Sequence, residues 1–320
     1  MSLRIGIIGC GGIGRTHFNA WSQAGYTPVA LADTVPGAAA ALAGSSGAQA
    51  YTDITTFLAE AKLDIVSICT PPSTHRELVV RALGAGVHVL CEKPLAPTVA
   101  DCEAMIAAAS AANKLLSVGF CHRFQPHIET MKQMIDGGAI GEIIMFRNRF
   151  AGHMANVESK WFSDPALAGG GVMMDTSVHS VDLFRHLIGD ATSIQASAVT
   201  RTTELGPALQ VEDTAVILLT SADGVIGTIE ASWRTPPGEW VVTVYGTRGS
   251  LSMDYDSMQL WHTDATGQRQ QVAVADGDRF VNEMAYFVRC VKGEAQLRVT
   301  GADGLAATHI LTTAAARAQG

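Results

Sequence analysis

The stretch Arg4-Ile5-Gly6-Ile7-Ile8-Gly9-Cys10-Gly11-Gly12-Ile13-Gly14 decides how the first part of the chain folds. An apolar run stopped by glycines marks a buried parallel strand over residues 4–8. Residues 14–24 then carry a helical pattern, so Gly9, Gly11 and Gly14 fall at a strand-to-helix turn in the order G-x-G-x-x-G. In that geometry one glycine makes the tight turn, one lets backbone approach a pyrophosphate, and one lets helix and strand pack closely. The helix N-terminus turns unpaired N–H groups toward the phosphates, with Gly12 and Ile13 completing the loop. Asp33 ends a second strand, residues 28–32, at about the 20-residue spacing expected of the acidic ribose ligand. A carboxylate there accepts hydrogen bonds from ribose hydroxyls and repels a 2′-phosphate. No Lys or Arg follows until Lys62, so NAD is favoured over NADP; Arg15 keeps the phosphorylated form open.

Working outward, strands at 64–69, 87–91 and 115–119 alternate with helices at 52–61, 74–83 and 100–112. That alternation implies βαβ units and a parallel sheet with helices on both faces. Thr74 with Glu77 spells a capping box, and Thr98 caps the helix at 100–112. After Gly119 the pattern changes to a helix at 126–135 and a strand at 142–149. Gly169-Gly170-Gly171 leads into a helix over 175–188, and residues 191–275 are mostly strands. Ala222-Asp223-Gly224 and Thr247-Arg248-Gly249 are hairpin signals within them. Helices at 279–291 and 302–316 close the chain. The fold class expected is therefore an α/β domain over residues 1–120, then an α+β domain with a large, mainly antiparallel open sheet over 121–320.

Composition excludes several classes. Hydrophobic residues make up 48% of the 320 and charged residues 16%, which is incompatible with intrinsic disorder. A net charge of −8 argues against a nucleic-acid partner, which calls for a basic face. No run of about 18 uncharged apolar residues is present, so no membrane span is expected. The six cysteines form no C-x-x-C pair, and several lie in apolar runs, as buried free thiols of a reducing compartment do. The apolar run starting at Leu3 meets Gly6 and Gly9, leaving no room for a signal peptide. The expected location is cytoplasmic.

Ligands of open parallel sheets bind at the carboxyl ends of the strands, and two segments fall there: Thr70-Pro71-Pro72 and Glu92-Lys93-Pro94. Lys93 thereby comes to the cofactor side; taken alone it reads equally as a solvated turn lysine. Asp175 and His179 stand four apart on a helix and face the same way, with Asp182 and His186 repeating the spacing. An Asp–His pair satisfying itself on a helix surface is the plain alternative. His153, Asp175 and His179 lack a metal-binding spacing, so no metal is expected.

Taken in order, these pieces resemble the Gfo/Idh/MocA oxidoreductases, a family that includes inositol dehydrogenases and glucose–fructose oxidoreductase. The resemblance rests on the phosphate loop, Thr70-Pro71-Pro72 with His75, Glu92-Lys93-Pro94, and the triple glycine with Asp175 and His179. Val118-Gly119-Phe120 with Arg123-Phe124, Trp161, Gly246-Thr247-Arg248-Gly249 and Asp303-Gly304-Leu305 extend it over nearly the whole chain. It implies a Rossmann domain that binds NAD, then a substrate-binding domain whose open sheet joins a homodimer or homotetramer. It implies a catalytic set of Lys93, Asp175 and His179: His179 with a pKa suited to a base near neutrality, Lys93 stabilising a developing alkoxide, Asp175 orienting hydroxyls or the imidazole. Which of Lys93 and His179 holds the proton stays open. Gly9, Gly11, Gly12, Ile13, Gly14, Asp33, Thr70, Pro71, His75, Glu92 and Lys93 are implied at the cofactor, with His17 structural. His122, Arg123, His153 and Trp161 are implied at the substrate, with an inter-domain salt bridge the alternative for Arg123. Members more often carry Asn or Arg where Cys121 and His122 stand, so the substrate class is broad: a sugar, polyol or sugar acid. An NAD-dependent glycosidase of the same fold and a non-catalytic NAD-binding regulator are the alternatives; the intact Lys93, Asp175 and His179 speak against the second.

Overall fold

The computed structural model describes residues 3–318, which form two compact units. The first opens with β1 (Ile5–Ile8), α1 (Gly12–Gln23), β2 (Ala30–Ala32), α2 (Ala38–Ala43), β3 (Gln49–Tyr51) and α3 (Ile54–Glu60). It continues with β4 (Ile65–Ile68), α4 (His75–Gly84), β5 (His88–Cys91), α5 (Val99–Ala112) and β6 (Leu116–Val118). All six strands are parallel, in the order β3-β2-β1-β4-β5-β6. Covered on both faces, β1 and β4 are buried at every position, which is why they read as unbroken apolar runs. The chain winds outward from β1 to β3, then crosses back to β4 on the other flank of β1. That reversal creates a switch point where the phosphate loop leaves β1.

Helix caps follow the sequence at one end and not at another. The Thr98 hydroxyl oxygen accepts from Asp101 N at 3.1 Å and starts α5 as expected. The capping box expected at Thr74 and Glu77 does not form. The Thr74 hydroxyl lies between Pro71 O (2.8 Å) and Thr70 Oγ1 (2.7 Å), because a 3-10 turn, Pro72–Thr74, precedes α4. Glu77 pairs instead with Arg81 one turn on.

The second unit contains α6 (Pro126–Asp136), β7 (Ile143–His153), the single turn α7 (Pro165–Ala168), a π-helical turn Met173–Ser177 and α8 (Val178–Leu187). Then come β8 (Ala191–Val199), β9 (Thr214–Ser221), β10 (Ile226–Ser232), β11 (Arg234–Gly246), β12 (Gly249–Asp254), β13 (Gln259–Asp264) and β14 (Arg269–Val272). They form one eight-stranded sheet in the order β14-β13-β12-β11-β7-β10-β9-β8, antiparallel except where β10 runs parallel to β7. Both expected hairpins occur, at β9–β10 and β11–β12. Along β9 the buried Ala215, Ile217 and Leu219 alternate with exposed Val216 and Leu218, so one face of the sheet is packed and the other is open. Phe184 of α8 packs edge-on to Phe146 of β7 on the packed face.

Two helices close the chain, α9 (Arg279–Val291) and α10 (Gly301–Ala318). The division of the chain differs from a single cut at residue 120. Residues 278–306 return to the first unit, and the second runs over 122–277 and from 307 onward. The reason lies in α9, whose Met284, Phe287 and Val288 are buried in one core with Trp21, Ile5 and Leu31.

Candidate active site

In the first unit, the phosphate loop is held open by backbone contacts. A Cβ on Gly14 would stand 1.9 Å from the Gly9 carbonyl oxygen, so α1 starts against β1 only because Gly14 has none. A Cβ on Gly11 or Gly12 would meet nothing within 4 Å. No neighbour in the protein requires these two to be small, and the open space before them leaves room for a pyrophosphate to approach the backbone. Asp33 follows β2, with Cys10 N donating to Oδ2 at 2.7 Å and Val35 N to Oδ1 at 2.8 Å. Burial, then the Asp33 charge, push the Cys10 thiol up to about 12, so it is no nucleophile despite its place in the loop.

The carboxyl ends of β4 and β5 carry the two turns expected at the cofactor. His75, implied at the cofactor, is fully buried and has another task. Its Nε2 lies 2.8 Å from Thr70 O and its Nδ1 3.1 Å from Pro94 O and Leu95 O, so the ring sits between the two turns and, when neutral, donates to one of them. Burial lowers its pKa, against the opposing pull of those carbonyls. Glu92, implied at the cofactor, also points inward. Its Oε1 is 2.7 Å from His17 Nε2 and its Oε2 accepts from Lys93 N at 3.1 Å. Burial pushes this carboxyl up, but His17 and then Lys93 outweigh it and hold it below the ordinary glutamate range. His17 is thus structural, as the partner of Glu92. Lys93 is flanked by anchored atoms on both sides, its own N–H and the Pro94 carbonyl.

In the second unit, Asp175 lies in the π-helical turn and His179 in the first turn of α8, one turn apart. Single π turns in helices occur frequently at functional sites. The His179 ring lies 4.5 Å from that of His122, centroid to centroid, and His122 Nδ1 is 2.8 Å from the Tyr255 hydroxyl. Phe150 borders both His122 and Tyr255. Of the residues implied at the substrate, His122 therefore stands beside His179. Arg123 is engaged elsewhere: its Nε and Nη2 bind the Asp182 carboxylate at 2.6–3.0 Å, both side chains being buried. The pair lies wholly inside this unit, which replaces the inter-domain salt bridge, and it fastens α8. His153 is exposed at the end of β7. Trp161 is also exposed and begins an aromatic series through Phe162 to buried Trp233, whose Nε1 reaches Thr176 Oγ1 at 3.2 Å.

Two residues that contact these elements carry no signal in the sequence, Tyr255, just past β12, and Glu212. Glu212 Oε1 accepts from Gly171 N and Met173 N, both at 3.0 Å. Burial raises its pKa, the N–H groups lower it, and the Asp213 charge raises it; the net direction is upward. Among the described residues no group of three or more His, Cys, Asp or Glu is arranged to hold a metal ion. Nor is any helix among them long and apolar enough to cross a membrane.

Residues 3–120 match the family model described as an oxidoreductase family with NAD-binding Rossmann fold, and residues 128–252 match the Gfo/Idh/MocA C-terminal domain. Inositol 2-dehydrogenase of Rhizobium meliloti (strain 1021) is 31% identical over 340 residues, covering 98% of this chain and 96% of its own. Among solved structures, aldose-aldose oxidoreductase from Caulobacter crescentus, complexed with glycerol, has a TM-score of 0.91 at 26% identity, over 100% of this chain and 98% of that one. Levoglucosan dehydrogenase in complex with NADH and levoglucosan has a TM-score of 0.89 at 26% identity, with the same coverage.

Proposed function

The chain belongs to the Gfo/Idh/MocA oxidoreductases, and on that footing we propose that it moves a hydride between a secondary alcohol of a sugar, polyol or sugar acid and NAD. One observation carries the proposal: Asp175 and His179 stand one helical turn apart beside His122, in a chain whose other unit has a loop fitted to a dinucleotide. Bound NAD supplies the hydride acceptor. The rest falls to the protein. His179 takes the hydroxyl proton as general base. Lys93 donates to the reacting oxygen and stabilises negative charge as it develops there. Asp175 orients the hydroxyls or the imidazole. The relatives act on a cyclic polyol, an aldose and an anhydrosugar by their names, which supports a polyhydroxylated substrate.

A panel of inositols, aldoses, anhydrosugars and sugar acids, scored by NADH absorbance, tests this reading. Turnover of at least one is expected, faster with NAD than with NADP because of Asp33. Silence across the panel with NAD still retained would overturn it and favour the glycosidase or regulator. The six free, buried cysteines support a cytoplasmic location.

We also propose that the open sheet face joins copies of the chain. Val216, Leu218, Ile226 and Tyr245 are exposed on that face, beside the Arg147, Arg149 and Glu230 ion pairs, a mixed apolar and charged surface suited to a second copy. A Val216→Glu/Leu218→Arg variant should elute at the monomer mass in light scattering while the parent elutes as a dimer or tetramer. A monomeric parent would end the proposal.

A further inference from the structure

Resting on the role given above to Asp175 and His179, we propose that Glu212 is a positioning residue for the helix that carries both. The first N–H groups of a helix lack intrahelical partners and are normally satisfied by a Ser, Thr, Asp or Asn side chain just ahead of it. Here the residues ahead are Gly169, Gly170, Gly171 and Val172, none with a side-chain acceptor. Three consecutive N–H groups are taken instead by one residue 39 to 41 positions away. Glu212 Oε1 accepts from Gly171 and Met173 at 3.0 Å, and the Glu212 carbonyl accepts from Val172 at 2.9 Å.

The last of the three glycines is explained by this docking. A Cβ on Gly171 would stand 2.0 Å from the Glu212 carbonyl oxygen, so only glycine lets the two backbones meet. Asp175 N donates to Gly171 O at 3.0 Å, which hangs Asp175 one hydrogen bond from the anchored residue. The anchor is itself held. Asp213 N donates to Val199 O, Asp213 O accepts from Trp233 N, and the Trp233 indole reaches Thr176. The helix start is thus gripped from the adjoining ends of β9 and β10. A carboxylate also suits the positive end of a helix.

The π turn gives the grip its consequence. A π turn closes i→i+5 hydrogen bonds and is rare outside functional sites, so it persists where surrounding contacts over-determine it. Without the Glu212 tether, Met173–Ser177 is free to rewind as α-helix, which turns Asp175 relative to His179.

The test is a graded series in the full chain: Glu212→Gln, Glu212→Asp and Glu212→Ala. Gln keeps an oxygen for both N–H groups, Asp is one methylene too short to serve both, and Ala removes the acceptor. Because a misplacement of about 1 Å costs on the order of 100-fold, kcat should fall roughly 100-fold in Ala and about tenfold in Asp, and stay within about threefold in Gln. NADH titration should be unchanged throughout, since the phosphate loop is in the other unit. Independently of turnover, the His179 imidazole cross-peak should shift in Ala and return in Gln, while those of His17 and His75 stay in place. If no substrate is turned over by the parent, the function above fails and the His179 signal still decides the role of Glu212. An unmoved His179 signal in Ala, or Gln as impaired as Ala, would overturn the proposal. Should Ala fail to fold, Asp compared with Gln decides between the same two outcomes.

Discussion

Lys93→Ala should lower kcat by about 10²- to 10⁴-fold and leave NADH affinity within a small factor. The size follows from what the ammonium is asked to do. As an alcohol gives up its proton and hydride, the oxygen passes through alkoxide character. A fixed cation beside it is worth most where water is excluded, and most in the transition state. The backbone around Lys93 is built for such fixity. Its N–H is tied to Glu92 Oε2 at 3.1 Å, and the carbonyl of the next residue is faced by His75 Nδ1 at 3.1 Å. Both side chains are buried, so the turn is braced from beneath. Lys93→Arg should not restore the rate, because a broad planar guanidinium cannot replace a compact ammonium at one oxygen. Steady-state kinetics with the best substrate of the panel, alongside NADH titration, decides the matter. A kcat within threefold of the parent would remove Lys93 from the chemistry.

The backbone of this site is more legible in the sequence than its side-chain directions. The glycine spacing, the strand ends and the triple glycine all stand where the sequence puts them, because each is a local steric demand. Glu92 and His75, implied at the cofactor, are both buried with partners of their own, and for Glu92 the reason is geometric. Successive side chains at a strand end point to opposite sides, so Glu92 turns into the core at the residue before Lys93. Position along the chain tells which edge a residue reaches, not which way it faces. β3 is invisible in the sequence because Gln49–Tyr51 has only three residues and two of them are exposed, leaving no apolar period. The helix over 279–291 is legible from its period, but an apolar stripe carries no address, and its place beside α1 emerges only from packing. Glu212 and Tyr255 act through contacts far along the chain, and such pairings leave no trace in a single sequence.

His17→Phe should destabilise the first unit by about 3 kcal/mol, because it leaves a buried carboxylate without its partner. Glu92 is 5% exposed and its Oε1 lies 2.7 Å from His17 Nε2, so water cannot readily replace the imidazole. The melting transition should move down by roughly 10 °C. The pH dependence gives a sharper test. In the parent, the folded pKa of Glu92 lies below its unfolded value, so its contribution is present above the ordinary glutamate pKa and fades as pH falls through the folded value. In His17→Phe the burial cost stands unopposed by His17, and the folded pKa rises. The sign then reverses: the folded state binds the proton more tightly, and stability is lost as pH climbs through the raised value. The parent should therefore lose stability on acidification, and the variant should recover part of its deficit there. Adding Glu92→Gln to His17→Phe removes the buried charge while keeping an acceptor for Lys93 N, and should restore most of the melting temperature at neutral pH. If His17→Phe melts within about 2 °C of the parent and with the same pH slope, the pair is not what braces the Lys93 turn, and the brace must be assigned to His75 alone.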